Sequence, residues 1–507
     1  MGKFYTTTPI YYVNDAPHIG HAYTTVAADV LARFHRQLGD DVFFLTGTDE
    51  HGSKVAQAAQ KRGISPRQHA DDMVGKFRDV TERVNATNDF FIRTTDPEHE
   101  EFVQEFLRRC YDNGDIYPSS YKGLYCAECE AYYTEDNLVD GLCPDHGTLP
   151  AYMEEENYFF RLSAYQDRLA EHYRANPDFV RPAHRYNEAL SFIDQGLEDI
   201  SISRATLNWG IPVPWDEEQV IYVWVDALIN YLSALTYAGD EDLRDRFWPA
   251  DYHIMAQDIL KFHGIIWPAL LMSAEHELPE HLFIHGYLKL GGEKMSKTRG
   301  NVMDPFPLIE EYGADPFRFY CFREVNFGQD GLVSEDGFKS RYNAELANEF
   351  GNLVSRTLSM IGKYRDSRIP DPQGQENHGA GLAGAAEDSV KEVRKRMDEV
   401  DLSGALDSIW DLVRRLNRYV EEQAPWKMAK SGDDVALDRT LWDLAEGIRL
   451  LAVVLHPFIP AATEETMRRL GLGESEDALM WSEAVWGRLP ADNVVEIGPP
   501  LFPRIED

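Results

Sequence analysis

The stretch Phe4-Tyr5-Thr6-Thr7-Thr8-Pro9-Ile10, followed by the turn residues Asn14, Asp15 and Pro17 and then by His18-Ile19-Gly20-His21, decides the fold. Phe4 to Ile10 is rich in residues that favour a strand. From Ile19 to Arg36 the apolar residues Ile19, Val26, Ala27, Val30, Leu31 and Phe34 recur at helical spacing, and Gly39 lies just past the end. A second apolar run, Asp41 to Thr46, closes on Gly47-Thr48-Asp49, and a helical pattern starts again at Ser53. This is the βαβ rhythm of a parallel, nucleotide-binding sheet, whose ligands sit beyond the carboxyl ends of the strands.

Further along, Tyr117 to Tyr152 is rich in Gly, Cys and Tyr without clear periodicity and reads as an insertion. The sheet rhythm is expected to resume at Gln219 to Val225 and at Tyr252 to Met255, giving two half-sheets separated by an insert. After Gly331 the texture turns helical: Glu345 to Ile361, Ala385 to Val400, Ser408 to Glu422 and Leu437 to Leu455, with an exposed loop expected over Pro370 to Gly384.

The chain has 507 residues and 43% hydrophobic content, enough for about three domains with cores of their own. The apolar run Ile265 to Met272 is far short of the ~20 residues of a membrane helix, and no secretory leader pattern opens the chain. A soluble, cytoplasmic protein is expected. The net charge of −36 taken alone argues against a polyanionic partner. With 15 lysines against 35 arginines and abundant carboxylates, it fits a salt-rich cytoplasm, where bulk charge is a poor guide to partners.

Two short stretches carry the chemistry. His18-Ile19-Gly20-His21 stands where the first strand turns into the first helix. Free N–H groups and the dipole there attract phosphate, Gly20 lets a ligand approach the backbone, and two imidazoles can donate to phosphate oxygens. Lys294-Met295-Ser296-Lys297-Thr298 lies in the polar loop Gly291 to Asn301, where two lysines can neutralise charge growing on a triphosphate.

Together these stretches resemble the two signatures of class I aminoacyl-tRNA synthetases, with Thr298 where Ser is more usual. Between them the chain is similar to the methionyl-tRNA synthetases, over essentially its whole length. The matching stretches are Thr8 to Asn14, Gly47 to Gly52, Val223 to Tyr231 and Asp258 to His263. The resemblance implies a methionine pocket lined by Ile10, Tyr12, Trp224, Ala227, Leu228, Tyr231, Ile259 and His263, with Asp49 pairing with the substrate ammonium group. It implies an ATP site of His18, Gly20, His21, Asp258, Gly286, Tyr287, Lys294 and Lys297, with Asp258 on the ribose hydroxyls. Asp258 also suits a helix N-cap. Aromatic walls suit a flexible, polarizable thioether, and Tyr12 and His263 can offer donors toward its sulfur. The implied catalytic residues are His18, His21, Lys294 and Lys297, acting on ATP with Mg²⁺ held by the triphosphate.

Cys126-x2-Cys129 and Cys143-x2-His146 are two ligand pairs with spacing suited to a tetrahedral centre. Three thiolates and one imidazole fit Zn²⁺ in a closed, structural site. In the helical part, Asn352, Arg356 and Trp426 match the family's anticodon-reading residues, an amide, a guanidinium and an aromatic able to read and stack bases. Arg414, Arg415 and Arg418 form a local basic patch, or else a face paired with nearby carboxylates.

The expected architecture is therefore α/β: a Rossmann-type parallel-sheet catalytic domain split by a zinc-knuckle connective insertion, followed by an all-α helix-bundle anticodon-binding domain. Residues 1–115 and 216–290 would form the catalytic halves, 116–215 the insertion, 291–345 the signature loop and stem-contact region, and 346–507 the bundle. The implied reaction joins methionine to tRNA(Met), the initiator included, through methionyl-adenylate, in a monomer. The rivals are another class I synthetase, disfavoured by the lack of a large editing insertion, and a tRNA-binding protein that has lost catalysis.

Overall fold

A computed structural model describes residues 2–126, 131–133, 138–144, 147–290, 293–294, 304–372, 381–473 and 476–506. Seven parallel strands form its central sheet: β1 (Lys3–Thr7), β2 (Tyr11–Tyr12), β3 (Asp41–Asp49), β4 (Phe90–Arg93), β5 (Val180–Arg181), β6 (Tyr252–Ala256) and β7 (His281–His285). Their order is β2-β3-β1-β6-β7-β5, with β4 also paired to β3. The chain runs outward from β1 to β3 in one direction and later from β6 to β7 in the other. The order reverses between β1 and β6, which is where an open α/β sheet opens its ligand crevice.

Successive strand residues face opposite sides, and both sides are buried. Phe4, Phe44, Ile254 and Phe283 enter one core, while Tyr5, Phe43, Met255 and Ile284 enter the other. The first core holds α1 (Ile19–Gln37), and the second holds α2 (Pro97–Asp112) and α3 (Val223–Tyr237). From α4 (Ala314–Arg323) onward the first core continues without a break into the helical part. That part comprises α5 (Asn352–Tyr364), α6 (Leu382–Asp398), α7 (Leu402–Gln423), α8 (Pro425–Ser431), α9 (Asp434–Leu455) and α10 (Pro460–Arg469). Among the described residues no helix is long and apolar enough to cross a membrane.

Three expectations are corrected. The stretch Gln219 to Val225 does not return to the parallel sheet. Its first part belongs to a strand, Asp216–Ile221, paired antiparallel with Ser203–Arg204 and Pro212–Val213, and α3 begins at Val223. An uninterrupted apolar run reads alike as buried strand or buried helix, because neither needs a polar face. The interval 116–215 is not all insertion. Ile116–Cys126 and Ala151–Phe160 form a long antiparallel ribbon, whereas Val180–Arg181 lies against β7 inside the parent sheet. The boundary at 345/346 falls within continuous helix, since Glu335–Arg341, a wider-wound π-type segment Tyr342–Gly351 and α5 follow without a break.

Candidate active site

His18 ends the turn after β2 in an extended conformation and caps α1 with its own ring. The Gly20 N–H donates to His18 Nδ1 at 3.1 Å, and the His18 N–H donates to His21 Nδ1 at 3.0 Å, a reciprocal box in which imidazoles do the work usually given to hydroxyl and carboxylate. The rings lie 3.9 Å apart, and Tyr11 and Phe77 meet His21 edge-on. A ring nitrogen that accepts a backbone N–H carries no proton, so in both neutral imidazoles the proton sits on Nε2. The sequence places two histidines here; the cap gives them matching tautomers, with Nε2–H as the donor of each.

The helix is anchored at its other side. His285, at the end of β7, donates from Nδ1 to the Gly286 carbonyl at 2.9 Å and accepts the Thr24 hydroxyl at Nε2, 2.8 Å away. Burial pushes its pKa down to about 4, so the ring is neutral. Gly286 has no room for a side chain: a Cβ would lie 2.2 Å from the Gln329 carbonyl carbon. Asp330 of that turn accepts the Tyr287 N–H at 2.8 Å and pairs with Lys289. Asp258 is exposed in the turn Gln257–Ile259 that follows β6, and the N-cap of that turn is Ala256, so the capping role expected for Asp258 is not the one it has. Lys294 lies in the short strand Glu293–Lys294, paired with Leu288–Leu290; Lys297 lies outside the described residues.

The residues expected to meet methionine lie on four elements. Ile10 precedes β2 and Tyr12 ends it, and buried Asp49 ends β3 beside Tyr12 in register. Trp224, Ala227, Leu228 and Tyr231 share one face of α3, and Ile259 and His263 follow β6. Trp224 is partly buried and stacks on Phe262, with ring centroids 4.0 Å apart and planes within 11°; Phe262 was not among the expected residues. His263 Nδ1–H donates to the Ile259 carbonyl at 3.0 Å, so its Nε2 accepts the Tyr231 hydroxyl at 2.7 Å. This corrects the expectation that His263 offers a donor toward sulfur: its proton faces the backbone. Burial lowers its pKa to about 4. The Tyr231 oxygen, having given its proton to His263, presents lone pairs.

Two further networks lie behind these walls. Glu50, fully buried, accepts Arg93 at two positions of 2.9 Å and the hydroxyls of Thr48 and Thr95. His51 Nδ1 lies 2.7 Å from Asp226, whose other oxygen lies 2.8 Å from His99 Nε2. The sequence signal for Asp226 was present, a carboxylate inside Val223-Trp224-Val225-Asp226-Ala227-Leu228-Ile229, where unpaired charge is not buried.

Residues 4–152 and 146–358 match the family of class I tRNA synthetases (M), and residues 369–507 match the anticodon binding domain of methionyl tRNA ligase. The methionine–tRNA ligase of Caldanaerobacter subterraneus is 46% identical over 99% of this chain and 79% of its own length. That of Streptomyces coelicolor is 44% identical over 99% of this chain and 97% of its own. The chain belongs to the methionyl-tRNA synthetase family. Its reaction is the ATP-dependent ligation of methionine to tRNA. The structure of Mycobacterium tuberculosis methionyl-tRNA synthetase in complex with methionyl-adenylate superposes with a TM-score of 0.95 at 42% identity, covering 99% of this chain and 100% of the other. The apo form of that enzyme gives 0.88 at 40% identity, covering 100% and 99%.

A methionyl-tRNA synthetase must also read an anticodon, and the bundle carries the expected residues on its surface. Asn352 begins α5 and is exposed; Arg356, one turn on, donates to Glu421 at 2.8 Å; Trp426 of α8 keeps 39% of its surface exposed. Ala424, in left-handed backbone at φ 48°, makes the corner that turns α7 into α8 and presents that indole. Of the three arginines on α7, Arg414 and Arg415 are paired with carboxylates, while Arg418 is exposed and has no ion pair among the described residues.

Of the four proposed zinc ligands, Cys126 and Cys143 are described and both are buried. The Cys143 N–H donates to the Thr148 carbonyl and its carbonyl accepts the Gly147 N–H, both at 2.8 Å, and Cys126 Sγ lies 3.6 Å from Thr148 Oγ1. Two buried thiols that both neighbour Thr148 fit a thiolate metal centre. Cys129 and His146 lie outside the described residues.

Proposed function

We propose that this enzyme forms methionyl-adenylate in the crevice between β1 and β6, with the methionine carboxylate attacking the α-phosphate of ATP. The methionyl group then passes to the 2′-hydroxyl of the terminal adenosine of tRNA(Met), the initiator included. His18 and His21 donate Nε2–H to phosphate oxygens, and Lys294 and Lys297 neutralise charge growing on the triphosphate, whose Mg²⁺ travels with ATP. Asp258 takes the ribose hydroxyls; Gly286 and Tyr287 border the adenine; Asp49 takes the ammonium group. Ile10, Tyr12, Trp224, Ala227, Leu228, Tyr231, Ile259 and His263 enclose the thioether.

The single observation that supports this reading best is the imidazole cap of α1, which fixes both tautomers before substrate arrives and so lowers the reorganisation left for the transition state. Asn352, Arg356 and Trp426 read the anticodon. Cys126, Cys129, Cys143 and His146 hold a structural Zn²⁺ that pins the tip of the insertion and leaves no coordination position for water. The enzyme works in the cytoplasm as a monomer.

Amino-acid-dependent ATP–pyrophosphate exchange across all twenty amino acids, at low and high salt, tests the activation chemistry. Exchange with methionine alone is expected; exchange driven by another amino acid overturns the pocket. Zinc content of the Cys126→Ser protein tests the knuckle, and stoichiometric zinc in that variant would refute it.

A further inference from the structure

The helix α3 has two working faces. At about 100° per residue, Trp224, Ala227, Leu228 and Tyr231 fall on one side, and Asp226 and Ser233 fall together on the opposite side. The front face is assigned to methionine; the back face holds a buried charge that the reaction does not use. Asp226 is fully buried and accepts His51 Nδ1–H at 2.7 Å and His99 Nε2–H at 2.8 Å. His99, itself fully buried on α2, accepts the Ser233 hydroxyl at Nδ1, 2.7 Å away and two turns further along α3. His51 stands two residues beyond Asp49, and the intervening Glu50 carbonyl accepts Trp209 Nε1–H at 2.7 Å.

One hydrogen-bonded chain therefore joins the end of β3, the helix α2 and two points on the back of α3. Two further carboxylates act on His51: Glu100, which lies 3.8 Å from its Nε2, and Glu50. Burial by itself would lower the pKa of His51 and raise that of Asp226, yet their mutual attraction overrides it in both, holding His51 above and Asp226 below the ordinary value. Apolar packing would bury this face at lower cost in desolvation, but its contacts have less directional preference than hydrogen bonds to a carboxylate. A carboxylate held at both oxygens by imidazoles from two other elements permits one rotation only.

We infer that Asp226 is the positioning residue that sets the width of the methionine pocket, holding the face of α3 that bears Trp224, Ala227, Leu228 and Tyr231 at a fixed distance from Asp49. The inference rests on the pocket assignment proposed above. Because the pocket walls and the ammonium anchor come from different elements, a loosened clamp misplaces one against the other. Methionine binding and its discrimination from norleucine, in which a methylene replaces the sulfur, then suffer while the ATP side is untouched. Lost fit in a hydrophobic pocket is worth about 10- to 200-fold in substrate discrimination.

The test is steady-state pyrophosphate exchange with Asp226→Asn, His99→Asn and Ser233→Ala, alongside Trp224→Ala as a control for the pocket itself. In Asp226→Asn the amide accepts from one imidazole but turns N–H toward the other. The methionine KM is expected to rise about tenfold or more, with the ATP KM and kcat within about threefold of the parent and preference over norleucine reduced. Ser233→Ala, which removes only the outermost hydroxyl, is expected to move the methionine KM in the same direction by less; it carries the test if the other two do not fold. An unchanged methionine KM in a folded clamp variant, or equal increases for methionine and ATP, overturns the inference. If Trp224→Ala also leaves the methionine KM unchanged, the pocket assignment fails as well; if it raises that KM while the clamp variants do not, the clamp alone fails.

Discussion

Gly20 has no side chain because the ring of His18 occupies the space. A Cβ at position 20 would lie 2.9 Å from His18 Cε1 and 3.0 Å from its Nδ1. In Gly20→Ala the ring must leave the cap, giving up its bond from the Gly20 N–H and with it the orientation of Nε2–H. Loss of one oriented transition-state donor costs about 10²–10³-fold, so kcat/KM for adenylate formation should fall by that order. The lost cap should cost only about 1 kcal/mol of stability; a variant with near-parental exchange rates would show that the cap does not orient a catalytic group. His263 gives a second test at the same scale. Its pKa is about 4 folded and about 6.5 unfolded, so the unfolded chain takes up this proton first as pH falls. The stability that neutral His263 contributes is complete above pH 6.5 and is lost progressively down to about pH 4, at up to about 1.4 kcal/mol per pH unit. In urea titrations between pH 7 and 4.5, His263→Gln should show a shallower loss of stability than the parent. Parallel curves would mean that the ring is not buried neutral.

At the scale of elements, the parts whose sequence was decisive are those in which the apolar residues of one segment all end in the buried interior. Ile19, Val26, Ala27, Val30, Leu31 and Phe34 are all buried in α1, which is covered on nearly every side between Ala22 and Ala32, and β3 is a nearly continuous buried run that feeds both cores. The ribbon Ile116–Cys126 and Ala151–Phe160 had no comparable signal. It stands away from the main cores along much of its length, so Tyr117-Pro118-Ser119-Ser120 can pair by backbone alone without alternating side chains. The two-sided burial of α3 erased its helical period and made its first turn read as strand, and the same burial hid the meaning of Asp226 until its imidazole partners, 127 and 175 residues away, were in place. The residues assigned to the pocket stand in the stretches that match the family, and so do Phe262 and His51; that Phe262 stacks on Trp224, and that His51 and His99 meet on Asp226, follows from the fold and not from spacing along the chain. The corner Ala424 and the short helix α8 present the Trp426 indole proposed to stack on a base. For Trp426→Ala, loss of a stacking platform worth about 1–3 kcal/mol should lower aminoacylation of tRNA(Met) by about 10- to 100-fold and leave pyrophosphate exchange intact. Equal loss of both activities would sink the separation of the two sites.

Over the whole molecule, activation and anticodon reading can inform each other only if the sheet domain and the bundle hold a fixed relation, and one arginine supplies much of it. Arg318 on α4 is fully buried and pairs at 2.7 Å with Asp29 of α1, itself fully buried and also held by Arg33 at 2.8 Å and by the Thr87 backbone and hydroxyl. Its remaining donors reach the carbonyls of Val84 on the sheet side and of Pro457 and Phe458, where α9 leads into α10. Nearby, Asp315 accepts the Ala462 N–H in the first turn of α10, and Gln37 at the end of α1 donates to the Val453 and Leu479 carbonyls. In Arg318→Met the carbonyls lose their donor and Asp29 loses one of two cations. Breaking a buried pair from one side costs about 3–5 kcal/mol, a large part of the about 5–15 kcal/mol that a typical protein has in total. Urea unfolding should therefore shift by that amount, and aminoacylation, which needs both sites in register, should fall further than pyrophosphate exchange, which needs one. The double variant Asp29→Asn with Arg318→Met should recover part of the stability, because it removes the charge that the single variant strands. A single variant within about 0.5 kcal/mol of the parent would mean that apolar contact alone joins the two halves.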